Sequence, residues 1–381
     1  MLNCQKSRFR LPEDIVYLNG SYMSPNLDVV EAAGIEGVKQ KSHPYLIKPN
    51  DFFAANDLAR SLFAELINMN EPGRIVSIPS VSYAISNAAN NIPFEAGDKI
   101  ILTGEQFPSN VYPWMRVAQE KGASLIFVDP PDVKDKRAAK WNKNILEAID
   151  TKTKVVAMAQ AHWTDGTLFN LPAIRERTEA VNAYLVLDCT QTIGALPFDF
   201  AKIRPDVLAV AAYKWLLGPY SIGLAYFSDR FDQGIPLEEN WMNRLNSEDF
   251  SALVNYQEKY QPMANRFEVG EKSNFTLIPM LLAALEQLNS WTPEAIQDYC
   301  CKLSFPFAEK FREYGCWVEE DQYRCGHLFG IRLPENLDLE KLKTKISSSN
   351  IFVSYRGSSI RVSPNVYNTK SDMQKLLDCF N

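Results

Sequence analysis

The sequence predicts an α/β fold in which a large, doubly wound, mostly parallel sheet domain precedes a smaller α+β domain. Between about residues 75 and 230, seven short apolar runs alternate with helical segments at the spacing of β-α-β units. After about residue 265 the pattern changes to two helical stretches and several short strands. The chain of 381 residues also exceeds the usual size of one hydrophobic core. We therefore expect one domain at residues 16–264 and a second at 265–381, which the segment 1–15 joins.

The individual elements follow from the period of the apolar residues. Short runs predict the strands of the large sheet at residues 74–78, 99–102, 124–128, 154–158, 183–187, 207–210 and 223–227. Helices are predicted between them at 83–92, 111–121 and 172–182. The second domain is predicted to contain helices at 278–288 and 293–314, with strands near 317 and at 328–332, 351–354 and 359–362. The polar stretch 129–144 contains two prolines and five lysine or arginine residues, and is interpreted as an excursion from the large domain.

Composition argues against several classes of function. The chain has 40 Lys and Arg against 46 Asp and Glu, a net charge of −6, so it offers no electrostatic footprint for nucleic acid. No apolar run approaches the roughly 18 residues of a membrane span, and no apolar segment follows the basic residues near the start. We therefore expect a cytoplasmic protein that binds neither nucleic acid nor a membrane.

Cysteine and histidine usage argues against disulfides and metals. The seven cysteines are odd in number and contain no C-x-x-C pair, which predicts free thiols. The three histidines lack the spacing of zinc ligands, so no metal site is expected. The common glycine-containing signatures of dinucleotide, triphosphate and serine-hydrolase sites are absent as well.

Two strand ends deliver charged side chains to the same edge of the predicted sheet. The run at 184–187 ends in Asp188, and the run that starts at Val207 leads to Lys214. Ligands of open α/β sheets bind beyond the carboxyl ends of the strands. One interpretation is a structural ion pair between Lys214 and Asp188, or a lysine that reaches solvent. The other is a pyridoxal 5'-phosphate site, in which the lysine binds the cofactor and the aspartate keeps its ring nitrogen protonated.

A pyridoxal phosphate site makes three further demands on the sequence. Ser80 and Ser82, at a predicted helix start, could contact the phosphate, although both are also ordinary N-cap residues. Phe107, after the strand at 99–102, could stack on the ring, although a core position is the simpler role for a phenylalanine. A donor near the phenolic oxygen could come from Gln191, or from the following candidates after the strand at 154–158: Thr164 and Asp165.

The combination resembles the class V aminotransferases, fold-type I pyridoxal phosphate enzymes that include cysteine desulfurases, kynureninases and isopenicillin N epimerase-like proteins. The most specific stretches are YLNGSY at 17–22, VLDCTQ at 186–191, PDVLAVAAYKW at 205–215 and IRVSPNVYNT at 360–369. This resemblance covers most of the chain. It implies the large domain with a smaller C-terminal domain, and pyridoxal 5'-phosphate as the cofactor.

The resemblance also implies a role for each matching residue. Lys214 would be the Schiff-base lysine and catalytic residue, Asp188 the partner of the pyridine nitrogen, and Phe107 the stacking ring. The other implied cofactor contacts are Gln191 and Thr164 near the ring, and Ser82, Tyr83 and Tyr213 at the phosphate. Arg361 and Asn19 would bind the substrate, with Arg361 gripping a carboxylate through its planar fork. Ser273, in the segment 270–274, would reach the phosphate of the other subunit, which implies a homodimer.

The reaction depends on which residues surround the substrate. A desulfurase needs a nucleophilic cysteine shortly before Arg361, but none lies between Ser349 and Arg361, and Cys325 is too far back. This argues against desulfuration, and the resemblance to the family favours an aminotransferase acting on an amino acid or keto acid. Alternatives are a kynureninase-like or isopenicillin N epimerase-like lyase or epimerase, a desulfurase, and a catalytically silent binding protein. Arg356 could contact a second acidic group or face solvent, and solvent is the favoured interpretation.

Overall fold

The structure is a computed structural model that describes residues 2–357 and 359–381. Its strands are β1 Val16–Tyr17, β2 Ile75–Ile78, β3 Lys99–Thr103, β4 Ser124–Val128, β5 Thr153–Met158, β6 Tyr184–Asp188, β7 Val207–Ala211, β8 Gly223–Phe227, β9 Phe329–Arg332, β10 Ile351–Phe352, β11 Ser354–Arg356 and β12 Ser359–Val362. Its α-helices are α1 Asp28–Gln40, α2 Ala54–Leu66, α3 Val81–Asn91, α4 Tyr112–Lys121, α5 Arg137–Ala148, α6 Leu171–Ala180, α7 Phe200–Ile203, α8 Leu277–Trp291, α9 Pro293–Glu313, α10 Leu339–Ser348 and α11 Lys370–Asp378.

The large sheet contains the seven predicted strands in the order β2-β8-β7-β6-β5-β3-β4. The pairs from β7 to β4 are parallel, while β8 runs antiparallel to both of its neighbours. The prediction of a mostly parallel sheet is therefore confirmed. The neighbouring strands β6 and β7 lie at the centre, which places Asp188 opposite Ala209 at the carboxyl edge.

Helices cover both faces of this sheet, as the continuous apolar runs predict. On β6, Leu185 and Leu187 belong to one apolar cluster and Val186 to another, because successive side chains point to opposite faces. The cluster around Leu185 includes residues of α2, α5, α6 and α8. The opposite cluster includes residues of α3 and α4. A strand that is buried on both faces cannot show polar alternation, which is why these segments are uniformly apolar.

The second domain packs its own core around a three-stranded antiparallel sheet in the order β11-β12-β9. Its apolar cluster includes Phe311, Ile331 and Ile360, together with Val16 and Leu18. Strand β1 pairs with β10 of this domain, and α8 packs against α1 and α2. The division at residues 264 and 265 stays a prediction, and packing crosses it in both directions.

Three local expectations were wrong. The stretch 129–144 is not wholly an excursion, because α5 begins at Arg137 and places Ala138, Trp141 and Ile145 on one buried face. Its basic residues masked this apolar spacing. The predicted strand 351–354 is two strands, β10 and β11, which belong to different sheets. Near Trp317 the structure has an isolated bridge to Arg332 and no strand.

Several predicted absences can be compared with the described residues. All seven cysteines are free, as expected. Within residues 2–357 and 359–381, no group of three or more histidine, cysteine, aspartate or glutamate side chains could hold a metal ion. No helix in this part of the chain is long and apolar enough to cross a membrane.

Candidate active site

A cavity of about 420 Å³ opens at the carboxyl edge of the large sheet. Its wall is built from the segments that follow β2, β3, β5, β6 and β7. The lining residues are Pro79, Ser80, Val81, Ser82, Gln106, Phe107, Ser109, Ala159, Ala161, Trp163, Asp188, Thr190, Gln191, Ala211, Tyr213, Lys214, Tyr220, Ser221 and Ile222. Its volume lies in the range of small-molecule sites, and its position is the one expected of a ligand site in an open α/β sheet.

Lys214 follows β7 and enters this cavity as a buried amine. Its side chain is 6% exposed, and Nζ lies 5.4 Å from the ring centroids of both Phe107 and Tyr213. Among the described residues no carboxylate lies within 4.0 Å of it. Burial, opposed by Asp188 and assisted by the charges of Arg361 and Arg356, lowers the pKa of Lys214 to about 8. Lys214 is therefore neither a member of a close ion pair nor a lysine whose amine reaches solvent.

The cofactor-free protein should therefore gain stability when this charge is removed. With a pKa of about 8 in the folded chain against 10.5 as the ordinary value, the unfolded chain holds the proton more strongly between those values. The free-energy cost of burying the charged amine is therefore complete below pH 8 and decreases as the pH rises from 8 toward 10.5. Since one pKa unit corresponds to about 1.4 kcal/mol, we expect Lys214→Met to raise the unfolding free energy by roughly 3 kcal/mol at pH 7.

Chemical denaturation of cofactor-free protein at pH 7 and pH 10 measures this effect. The gain should shrink at pH 10, because wild-type Lys214 is then largely neutral. A gain that is equal at both pH values, or a loss at pH 7, would show that burial does not depress the pKa of this amine.

Asp188 ends β6 as a buried carboxylate that lines the same cavity. Its Oδ1 accepts a hydrogen bond of 3.0 Å from the backbone amide of Thr190. Burial raises the pKa of Asp188, whereas Thr190 and Lys214 lower it. The described residues place no cation within 4.0 Å, so this carboxylate is available to a cationic group of a ligand.

The loop after Asp188 is held from several sides. Gln191 Oε1 accepts a 3.0 Å hydrogen bond from Trp215 Nε1, and its Nε2 donates to the carbonyl of Ser21 at 3.1 Å. Gly194 adopts φ +104°, and a Cβ there would lie 2.1 Å from the carbonyl oxygen of Trp215. A glycine is required at this close approach. The predicted cofactor contact Gln191 does line the cavity.

His327 supports this loop from the second domain, and sequence reasoning missed it. Its Nε2 lies 2.8 Å from the carbonyl oxygen of Gln191, and its ring meets Trp215 edge to face at 4.4 Å between centroids. Because burial lowers the pKa of His327 to about 4, the ring is neutral near pH 7 and donates from Nε2. Its Nδ1 accepts a 2.8 Å hydrogen bond from the side-chain Nε2 of Gln297.

The start of α3 lies at the wall of the cavity. The Ser80 side chain caps α3 by accepting from the amide of Tyr83 at 3.3 Å, and the hydroxyls of Ser80 and Ser82 lie 2.9 Å apart. The first turn of α3 contains no acidic residue, and a helix N-terminus of this kind with adjacent hydroxyls is suited to binding a phosphate. Ser82 and Tyr213 line the cavity. The side chain of Tyr83 does not, because it turns into the apolar layer beneath the sheet.

Phe107 presents its ring to the cavity, as predicted for a stacking residue. Its position is fixed by Gln106, whose Oε1 accepts from the Phe107 amide at 2.9 Å. Trp163 packs on it edge to face, with 5.4 Å between ring centroids. Trp163 was not singled out by the sequence, because a tryptophan outside the expected strands carries no spacing signal.

A second cavity of about 280 Å³ shares Phe107, Trp163 and Lys214 with the first and is lined by two arginines. Arg361 is 1% exposed, and it donates to the carbonyl of Trp163 at 3.1 Å and to Ser354 Oγ at 3.3 Å. Burial and the neighbouring Arg356 lower its pKa to about 9. The expectation that Arg356 faces solvent was wrong, because the hairpin of β11 and β12 turns it into this cavity.

Asn19 reaches this second cavity only indirectly. Its Oδ1 accepts a 2.7 Å hydrogen bond from Ser354 Oγ, the hydroxyl that in turn accepts from Arg361. Asn19 does not line the cavity. In this structure it therefore orients the arginine through Ser354 instead of facing the substrate space directly.

Two predicted ring contacts lie elsewhere. Thr164 does not line the cavity, because its hydroxyl is 2.8 Å from Nδ1 of His162. Asp165 is buried away from the cavity, where its Oδ2 pairs with Arg137 at 3.1 Å and its Oδ1 accepts from the Thr167 hydroxyl at 2.8 Å. The interpretation of Asp165 as a possible donor to the cofactor was wrong, because this residue forms an ion pair with Arg137 of α5.

Ser273 is also outside the cavity that holds Lys214. It lines a separate pocket with Gln40 and Phe275. A single protomer therefore does not bring Ser273 to the proposed phosphate position, and its predicted role requires a second copy of the chain.

The cysteines do not contribute to the lining of the two cavities described above. No cysteine is among the residues that line either cavity within the described chain. Cys325 is fully buried, with Sγ 3.3 Å from the carbonyl oxygen of Leu328, and burial raises its pKa to about 12. It is the packed thiol that the sequence predicts.

These features together define a pyridoxal phosphate type of site. Asp188 ends β6 and Lys214 follows the neighbouring β7, and among the described residues neither has an oppositely charged group within 4.0 Å, which suits a ring nitrogen and an aldehyde carbon. The chain belongs to the class V aminotransferase family, whose model matches residues 49–376. It is a fold-type I enzyme, and pyridoxal 5'-phosphate is its cofactor, as predicted.

Relatives in sequence carry two kinds of name. The chain is 23% identical over 323 residues to an uncharacterized aminotransferase, YcbU, of Bacillus subtilis, covering 84% of this chain and 82% of that protein. It is 26% identical over 247 residues to a cysteine desulfurase of Serratia proteamaculans, covering 64% of this chain and 58% of the relative. A probable cysteine desulfurase of Pyrococcus abyssi is 29% identical, and the match covers 45% of this chain and 42% of the relative.

Solved structures share the complete fold. The apo cysteine desulfurase of Thermococcus onnurineus superimposes with a TM-score of 0.84 at 18% identity, covering 99% of this chain and 97% of the other. The cystine C-S lyase C-DES, in a variant with glycine covalently linked to its cofactor, gives 0.85 at 17% identity, covering 99% and 98%. These likenesses establish the fold predicted for the whole chain.

Proposed function

We propose that the protein is a class V aminotransferase that moves an amino group between an amino acid and a keto acid. The observation that supports this proposal is the composition of the two cavities, which share Lys214 and contain its buried amine and the buried Arg361 but no cysteine among the described lining residues. Desulfurases need a thiol nucleophile next to the substrate. The thiols of this chain are packed or lie outside both cavities.

The residues that would hold the cofactor are distributed along the first cavity. Ser82, Tyr213 and the amides that begin α3 would bind the phosphate, Asp188 would pair with the ring nitrogen, and Phe107 would stack on the ring. Gln191 lies in the loop after Asp188 and lines the cavity, so it would lie near the phenolic oxygen of the cofactor. When bound, pyridoxal phosphate supplies an electron sink that weakens the bonds to the substrate's α-carbon.

Lys214 and Arg361 divide the remaining work between proton transfer and orientation. The lysine amine, whose pKa is lowered to about 8, would remove the proton from the α-carbon of the substrate. A base whose pKa lies near the working pH is the most effective in this role. Arg361 binds the α-carboxylate with two parallel hydrogen bonds and so fixes which bond of the α-carbon faces the lysine.

Arg361→Lys should reduce kcat/KM for every accepted amino acid by roughly 10- to 100-fold, because one of two hydrogen bonds to a charged group is lost. The absorption spectrum of the bound cofactor should not change. Steady-state kinetics with one accepted amino acid and its amide checks this prediction. If the variant still prefers the acid over the amide as strongly as wild type does, the carboxylate binds elsewhere.

A homodimer completes the proposed site. Ser273 lies in a different pocket from Lys214 within one protomer, so the segment 270–274 would reach the phosphate of a second copy. Exposed apolar side chains on α1 and just after it, including Val38, Tyr45 and Leu46, suit burial between subunits. A cytoplasmic location stays a prediction.

The amino-group balance of a single turnover tests the proposed reaction. Holoenzyme mixed with an accepted amino acid, and no keto acid, should form about one equivalent of keto acid per site without free ammonia. A keto acid should then restore the original cofactor spectrum. Sustained release of ammonia would identify a lyase. Formation of alanine and sulfane sulfur from cysteine would identify a desulfurase. If no amino acid reacts, the protein is a catalytically silent binding protein.

A further inference from the structure

The hairpin of β11 and β12 places two arginines on one face. Ser354 pairs with Arg361 and Arg356 with Ser359 across the hairpin, so all four side chains project from the same side. Arg356 and Arg361 are diagonal neighbours on that side, with backbones about 7–8 Å apart. Both line the cavity beside Lys214.

This arrangement lacks its counter-charges. Neither arginine has a carboxylate within 4.0 Å among the described residues, and no acidic side chain lines the 280 Å³ cavity. Within residues 2–357 and 359–381, the one acceptor of Arg356 is the carbonyl of its neighbour Tyr355 at 2.7 Å. The Nε atoms of Arg356 and Arg361 are both buried and have no hydrogen-bond partner in the part of the chain that the structure describes.

The chain pairs comparable arginines elsewhere. Arg137 is 3.1 Å from Asp165, and Arg324 is 2.7 Å from Asp321. Like charges that face one another on a sheet are destabilising without a bridging anion. An arrangement that is unfavourable in the free protein and pre-formed in a cavity is typical of a ligand site.

Trp163 supports both guanidinium groups from one side. Its ring centroid is 5.1 Å from Cζ of Arg356 and 5.7 Å from Cζ of Arg361. An aromatic face steadies a guanidinium while leaving its hydrogen-bonding edge available. The Nε groups of both arginines, which have no partner among the described residues, are thus available to the same occupant.

We infer that Arg356 binds a second carboxylate of the substrate, so that the enzyme acts on short dicarboxylic amino acids and the matching dicarboxylic keto acids. The inference rests on the proposed function in one respect, since it assigns the α-carboxylate to Arg361. Arg356 is then the residue that determines side-chain specificity. A substrate with one carboxylate leaves the Arg356 charge uncompensated.

Calorimetric titration of the holoenzyme with unreactive acids tests this inference. Wild type should bind glutarate roughly 10- to 100-fold more tightly than butyrate, the factor expected for a hydrogen-bonded charge pair. Arg356→Gln should bring the two affinities within a few-fold of each other without changing that for butyrate. Arg356→Lys should retain part of the preference. Arg116→Gln, on the exposed face of α4, is the matched control and should behave as wild type.

The outcomes separate this inference from the proposed reaction. Equal binding of glutarate and butyrate by wild type, or a preference that survives in Arg356→Gln, overturns the role of Arg356 even if amino acids are transaminated. An Arg356-dependent preference in an enzyme that releases ammonia supports the role and rejects the aminotransferase. Should Arg356→Gln fail to fold, the wild-type preference and its reduction in Arg356→Lys decide the question.

Discussion

The Lys214→Ala variant is expected to lose turnover by about four orders of magnitude, the upper range for removal of a general base, while it remains folded and holds the cofactor without a covalent bond. The phosphate and ring contacts proposed for Ser82, Asp188 and Phe107 do not depend on this amine. Turnover assays together with dialysis and absorption spectroscopy measure both parts of the prediction.

Lys202→Ala is the matched control for Lys214→Ala. Lys202 is an exposed lysine of α7 that pairs with Asp199 at 2.7 Å, and its loss should leave activity unchanged. A Lys214→Ala enzyme with more than a few per cent of wild-type turnover would remove the amine from the reaction.

Replacing Asp188 by asparagine is expected to lower kcat by roughly 10²- to 10³-fold, as loss of a pre-organised electrostatic group does in other enzymes. An amide cannot hold the ring nitrogen in its protonated form, so the cofactor withdraws fewer electrons. Cofactor affinity should fall much less, because the phosphate end of the cavity is unchanged. Kinetics and equilibrium dialysis measure the two effects separately.

Asp206→Asn provides the contrasting control. Asp206 is a buried carboxylate just before β7 that pairs with Arg175 at 2.8 Å and Arg230 at 3.3 Å. Its replacement should destabilise the fold by about 3–5 kcal/mol with little effect on kcat of the folded fraction. If Asp188→Asn instead shows this pattern of lost stability and normal kcat, Asp188 is a structural residue.

The fold could be predicted because its central strands are buried on both faces and read as continuous apolar runs. The strand ends that carry Asp188 and Lys214 followed from those runs, and the structure brings them to one cavity. The stretch containing α5 was misjudged since its apolar spacing is interrupted by lysines that face solvent. The basic composition of this stretch indicated a loop, and the three apolar residues at helical spacing were too few to indicate a helix against it.

The parts of the site that escaped prediction depend on contacts between distant segments. His327 supports the loop of Gln191 from the second domain, and Trp163 becomes a platform only after β12 brings Arg361 beside it. No spacing in the sequence encodes such contacts. Tyr83 and Thr164 show the reverse error, because their positions match the motif while their side chains turn away from the cavity.

Reduction of the holoenzyme with borohydride, followed by peptide mapping, tests the central claim most directly. The claim is that the cavity at the ends of β6 and β7 holds the cofactor with Lys214 as its covalent anchor. We expect the label on Lys214 and nowhere else, with the Asp188→Asn variant labelled at the same residue. A label on any other lysine, or a holoenzyme that borohydride leaves unlabelled, would contradict the assignment.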